Sequence, residues 1–139
     1  MSTTKPTKAI IPVAGFGTRR LPLTKSIEKC MIPLLNRPIV DYIVEDCIKA
    51  GVKDIYFVVT NGSPQLKSYY EHNQALEEYL AKKSAAEQLE LVKPPEGIEF
   101  HYIEQPQNNG HYGTTVPVWY CRDIVEPDES FLIIMGDQC

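Results

Sequence analysis

The chain has 139 residues, 43% hydrophobic and 23% charged, with a formal net charge of -4. That is enough apolar content for one domain with a buried core, and too little charge for a disordered chain. The acidic balance argues against general nucleic-acid binding, which needs clustered Lys and Arg, and no apolar run approaches the ~18 residues of a membrane span.

The four cysteines, Cys30, Cys47, Cys121 and Cys139, are far apart and form no CxxC pair, so neither a zinc site nor a disulfide framework is signalled. Cys47 and Cys121 read as buried free thiols. The opening MSTTKPTKAIIPVAG has no apolar h-region followed by a cleavage site, which makes the cytoplasm the expected compartment.

Lys8–Val13 reads as a short apolar strand, with Pro12 tolerable at its end. An irregular loop follows from Ala14 to Asn36. Pro38 suits a first helical turn, and Ile39, Val40, Ile43, Val44, Cys47 and Ile48 then recur at helical spacing until Gly51 stops the helix. Asp54–Val59 is a second strand, closed by Thr60-Asn61-Gly62-Ser63. A long helical stretch is expected from Gln65 to Leu91, broken near His72-Asn73. Leu66, Tyr69 and Tyr70 would line one face before the break, and Leu76, Tyr79 and Leu80 one after it. Pro94-Pro95-Glu96-Gly97 ends the stretch. Ile98–Ile103 gives a third strand, Thr114–Asp123 a helix and Phe131–Met135 a fourth strand.

Strands alternating with helices, and apolar on both faces, predict an α/β fold with a mostly parallel sheet covered on both sides. Asp137-Gln138-Cys139 closes the sequence directly after a buried-type strand. A complete α/β domain seldom stops there, so residues 1–139 are expected to be part of a longer domain.

The strongest local signal is Ala14-Gly15-Phe16-Gly17-Thr18-Arg19, directly after the first strand. Glycines let a backbone turn sharply and approach a ligand, and successive N–H groups in such a turn can cradle phosphate oxygens. In open α/β sheets ligands sit beyond the carboxyl ends of strands, where this loop lies. Arg20 stands where a GxGxxG fingerprint needs its third glycine, and GxxxxGK[ST] does not fit either. A plain structural turn explains the two glycines about as well as a phosphate site does. Arg19, Lys25 and Lys29 tip the balance, because cations on an irregular loop at a strand's carboxyl end suit a triphosphate.

Asp137 would emerge at the carboxyl end of the fourth strand. A carboxylate there could hold Mg²⁺ bound to substrate phosphates, or simply cap a following helix. Gln105 and Gly110 follow the third strand; a Gln can pair with a base edge through donor and acceptor together, although a polar turn is the plainer reading. His72, His101 and His111 share no metal-ligand spacing and receive no role. Tyr69, Tyr70, Tyr79 and Trp119 read as core or interface residues.

Taken together, GFGTRRLPLTKSIEKCMIPLLNRPIVDYIVEDCIKAGV, QPQNNGHYGTT and the strand-ending Gly136-Asp137 resemble the signature of sugar-phosphate nucleotidyltransferases. The LTKSIEKCMIPL wording and the long insertion QLKSYYEHNQALEEYLAKKSAAEQLELV resemble the bacterial UTP–glucose-1-phosphate uridylyltransferases in particular. One departure is Glu28, where the family commonly has Pro before the lysine.

The resemblance implies a Rossmann-like, GT-A-like fold of which residues 1–139 form the amino-terminal nucleotide-binding part. It implies uridylyl transfer from UTP to glucose 1-phosphate with release of pyrophosphate, Mg²⁺ as cofactor and self-association of the full-length protein. By the same resemblance Ala14, Gly15, Gly17 and Thr18 belong to the nucleotide loop, and Arg19 and Lys29 act on the triphosphate. Gln105 and Gly110 would read the base and Asp137 would hold the metal. Family members run to about twice this length, so a UTP-binding part without catalysis is one alternative. A thymidylyl- or cytidylyltransferase is another, although the long insertion argues against it.

Overall fold

The computed structural model describes residues 5–106 and 115–135. Strand β1 (Lys8–Pro12) is followed by three single 3-10 turns at Thr18–Arg20, Leu23–Lys25 and Lys29–Met31. A two-residue hairpin comes next, β2 (Pro33–Leu34) with β3 (Arg37–Pro38), then helix α1 (Ile39–Lys49) and strand β4 (Asp54–Val59). Three short helices, α2 (Pro64–Tyr70), α3 (Gln74–Lys82) and α4 (Ala86–Val92), lead to β5 (Glu99–Glu104), α5 (Thr115–Tyr120) and β6 (Leu132–Ile133).

The main sheet has the order β5-β4-β1-β6, and every pair is parallel. Its strand-to-helix crossovers are what the alternating sequence pattern demands. Side chains alternate across the strands. Ala9, Ile11, Ile55, Phe57 and Val59 enter one core with Val40, Ile43, Val44 and Cys47 of α1 and with Leu66 and Tyr70 of α2. Ile10 and Val58 enter a second core with Cys121, against which Ile124, Val125 and Phe131 pack. Both faces are therefore covered, and the mostly parallel α/β expectation holds.

Helix α1 places Val40, Ile43, Val44 and Cys47 inward, as the spacing predicted, while Ile48 is exposed. Pro38 is not in the first helical turn: its extended backbone (ψ 148°) makes it the cap residue and the end of β3. The helical stretch expected over residues 65–91, with one break, is three helices. The break at His72-Asn73 is present, with Asn73 Oδ1 accepting from the Leu76 N–H. A second break comes at Lys83 to Ala85, where Ser84 takes a left-handed φ of 55°. No residue of α3 or α4 is buried, so this later part of the insertion leans on the domain, whereas α2 puts Leu66 and Tyr70 into the core. Tyr79 and Trp119, expected in the core or at an interface, are 57% and 55% exposed and so not in the core. The Arg122 guanidinium lies 3.8 Å from the Trp119 ring centroid. Among the described residues no helix is long and apolar enough to cross a membrane.

Candidate nucleotide site

Strand β1 delivers its loop at the carboxyl end of the sheet. The Val13 N–H continues the ladder by donating to the Val58 carbonyl at 2.9 Å, and the chain then turns away at half-buried Ala14. Gly15 has φ 136° and Gly17 φ 62°, conformations that side chains with a Cβ rarely adopt. The 3-10 turn that Gly17 starts carries Thr18, Arg19 and Arg20, all exposed.

The loop folds back on itself. Thr24 Oγ1 donates to the Gly17 carbonyl at 2.8 Å, and the Lys29 stem lies against Gly17. Cys30, next along, is 4% exposed and belongs to the main core, which anchors the segment that bears Lys29. Burial pushes the Cys30 thiol up to about 12, with a smaller contribution from the Glu28 charge.

Across from the loop stands the β4–α2 turn. Asn61, Gly62 and Ser63 have φ values of 54°, 74° and 41°, three left-handed residues in succession. Two of them are not glycine, and strained backbone of this kind concentrates at ligand clamps. The Glu104 carboxylate accepts from the Gly62 N–H at 3.1 Å, fixing the turn from β5.

Between loop and turn lies a cleft of about 240 Å³, whose walls include Gly15, Phe16, Lys25, Glu28 and Lys29 on one side and Thr60, Asn61, Ser63 and Gln65 on the other. Its chemistry suits an anionic ligand: two lysines, hydroxyl and amide groups, and backbone freed by glycine. Gly15 and Lys29 line it, and the Lys29 stem packs on Gly17. Thr18 and Arg19 sit on the adjacent turn. Gln105 is half-buried on the neighbouring strand end, its N–H donating to the Val59 carbonyl at 2.7 Å and its Oε1 buried without a hydrogen-bond partner among the described residues. Gly110 and Asp137 lie outside the described residues.

Sequence reasoning placed the Thr60–Ser63 turn but missed its strained backbone, and it missed Glu28 and Gln65 as wall residues. Asn61-Gly62-Ser63 running into Pro64 was the available cue for a tight turn into a helix. It missed one cluster at the opposite end of the sheet as well. Asp54, Glu99 and His101 offer ligand atoms within 4.8 Å of one another, with His101 Nε2 3.0 Å from Asp54 Oδ1 and its ring stacked on Tyr56. Asp54 and Val59 are the two ends of β4, about 16 Å apart at strand rise. A cation there would not meet a phosphate in the cleft.

A sequence model of the nucleotidyl transferase family matches residues 8–139. The chain belongs to that family. UTP–glucose-1-phosphate uridylyltransferase of Bacillus subtilis strain 168 is 38% identical to this nucleotidyl transferase chain over 133 residues, covering 94% of the chain and 44% of the relative. The enzyme of that name numbered 1 in Staphylococcus saprophyticus is 34% identical over 131 residues, covering 94% and 44%. Among solved structures, UDP-glucose pyrophosphorylase from Acinetobacter baumannii matches with a TM-score of 0.85 at 30% identity, covering 95% of this chain and 46% of that one. A UTP-bound pyrophosphorylase from the same organism gives 0.83 at 30% identity, covering 95% and 46%. The chain thus spans less than half the length of the relatives it matches.

Proposed function

We propose that residues 1–139 are the nucleotide-binding part of an enzyme that transfers uridylyl from UTP to glucose 1-phosphate. The observation that carries this is the cleft at the carboxyl end of β1, where Gly15 and Lys29 face the β4–α2 turn. The names of the relatives give the substrates.

In the reaction a phosphate oxygen of glucose 1-phosphate attacks the α-phosphorus of UTP. The bond from that phosphorus to the bridging oxygen of the β-phosphate breaks, and UDP-glucose and pyrophosphate leave. No protein nucleophile is needed. The chain's share is to hold the triphosphate in line and to offset the charge that grows on the leaving pyrophosphate. Lys29 and Arg19 take that role, the glycine loop supplies backbone N–H groups, and Gln105 with Gly110 reads the uracil. Asp137 would hold the magnesium ion that comes with the triphosphate, and the ion would supply charge neutralisation. Sugar recognition falls to sequence beyond this chain, and the full-length protein is a self-associating cytoplasmic enzyme.

The coverage of less than half of each relative favours a second reading, in which this chain binds UTP without turning it over. Calorimetric titration of the chain with UTP, with and without Mg²⁺ and against ATP and dTTP, tests the site. Mg²⁺-assisted binding of UTP in preference to ATP is expected, weakened at least tenfold by Lys29→Ala. A folded chain that ignores UTP would sink the assignment. UDP-glucose formation under the same conditions separates enzyme from binding part.

A further inference from the structure

Glu28 and Gln65 are 37 residues apart in sequence and bonded in both directions. The Glu28 N–H donates to Gln65 Oε1 at 2.7 Å, and the Gln65 N–H donates to Glu28 Oε2 at 2.6 Å. Gln65 Nε2 adds a third bond, to the Ser26 carbonyl at 2.9 Å. Gln65 is the second residue of α2, so its N–H is one of the donors that a helix start leaves without an internal partner. The Glu28 carboxylate supplies that partner from a different loop.

The consequence falls on Lys29. On its carboxyl side the chain is anchored by Cys30 in the core. On its amino side it is anchored by Glu28, whose main-chain N–H and side chain are both engaged by α2. A lysine has four rotatable carbons between Cα and charge, so the protein controls where that charge can reach chiefly by fixing the Cα and the stem. Fixing both neighbours and packing Gly17 on the stem does this. Glu28 also places a negative charge in the wall of a cleft that otherwise suits an anion, and its Oε1 is buried with no hydrogen-bond partner among the described residues. A carboxylate is a poor choice there for electrostatics alone, and its geometry accounts for it.

We propose that Glu28 and Gln65 are positioning residues for Lys29: a two-residue clamp that joins the glycine loop to the start of α2 and sets the lysine over the cleft without touching the nucleotide. The proposal rests on the assignment of Lys29 to the triphosphate. It predicts a sign pattern that a purely structural contact does not. Glu28→Ala removes the clamp and weakens nucleotide binding. Glu28→Gln keeps an oxygen to accept from the Gln65 N–H, while removing the negative charge beside the phosphates, so binding is retained or tightened.

The test is calorimetric titration of this chain with UTP and Mg²⁺, together with the thermal midpoint of each variant. Gln65 is exposed on a helix, so Gln65→Ala keeps the fold even if Glu28→Ala does not. Gln65→Ala and Glu28→Ala are each expected to weaken UTP three- to tenfold, and the double variant no more than the worse single one, because the two act as a unit. Glu28→Gln is expected within twofold of the parent or tighter. If Lys29→Ala weakens UTP but Gln65→Ala and Glu28→Ala lower only the thermal midpoint, the clamp is structural and the proposal is overturned while the cleft assignment stands. If Lys29→Ala leaves UTP binding unchanged, or the parent chain does not bind UTP, the assignment of Lys29 fails and the clamp's role falls with it.

Discussion

Gly17 and Lys29 meet through a missing side chain: a Cβ built on Gly17 would stand 3.2 Å from the Cβ of Lys29 and 2.9 Å from Cγ2 of Thr24. Both distances are shorter than ordinary van der Waals contact, and the φ of 62° at Gly17 adds its own penalty for any residue with a Cβ. Gly17→Ala should therefore push the Lys29 stem away and strain the turn, costing about 1–3 kcal/mol in stability. UTP affinity should fall about tenfold. Urea unfolding with UTP titration checks both, and an alanine variant with parental values in each would remove the reason for a glycine here.

Gly15 provides the contrast. It has a φ of 136° yet nothing within 4 Å of a built Cβ. Gly15→Ala is expected to cost backbone strain of about 1 kcal/mol with a smaller effect on Lys29. A larger loss of UTP affinity at Gly15 than at Gly17 would mean that the ligand, not the lysine stem, fills the space over the loop.

The packing between α1 and α2 turns on one hydroxyl. Tyr70 is 5% exposed, and its OH donates to Asp41 Oδ1 at 2.8 Å while Arg37 Nε donates to Asp41 Oδ2 at 2.8 Å. Burial, then the Asp41 charge, holds the Tyr70 hydroxyl far above its usual range. Tyr70→Phe keeps the ring stacked on Phe100 at 4.3 Å and loses one bond to a charged acceptor, about 1.5–3 kcal/mol. Tyr70→Ala also empties the core, for about 3–5 kcal/mol. Equal losses in urea unfolding for the two variants would show that the ring contributes nothing beyond its hydroxyl.

What the sequence made legible was local. α1 could be read because 11 residues of strict 3.6 periodicity end at Gly51, and β4 because six residues of β-formers end in a turn. The glycine loop and Lys29 were legible because motif order carries them. The β2–β3 hairpin was not, since two-residue strands joined through Leu35 at φ 60° have no periodicity to read. Nor were the partners of Glu28 and His101. Gln65 and Asp54 reach them through tertiary approach and strand register, and a sequence fixes neither until the strands are aligned.

Three buried thiols make stability fall in alkali. Burial pushes Cys30 from 9.0 up to about 12 and Cys47 and Cys121 to about 11. A raised folded-state value means that the contribution is complete below pH 9, where the thiol is neutral in both states. It is lost as pH rises from there towards the folded value, because only the unfolded chain can ionise. At pH 10 Cys30 alone should account for about 1 kcal/mol. Urea unfolding at pH 7 and pH 10 should show the drop, and Cys30→Ala should flatten it. An unchanged slope in that variant would place the alkaline loss elsewhere, with Tyr70 the next candidate.

Gln105 Oε1 is buried and lacks a donor among the described residues, and a buried acceptor left unpaired costs about 1–3 kcal/mol unless a ligand satisfies it. Uracil can do so, because its N3 carries a hydrogen. Cytosine has no donor at N3, which is itself an acceptor. Its donor is the N4 amino group, which stands where uracil carries O4, so it reaches the same oxygen only from a shifted position. If Gln105 faces the base, the chain should prefer UTP over CTP by tenfold or more, and Gln105→Leu should erase that preference by weakening UTP while leaving CTP nearly unchanged. Parallel titrations with the two nucleotides decide it. A variant that loses both equally would make Gln105 a structural residue of the β5 end and leave base selection to residues 107–114.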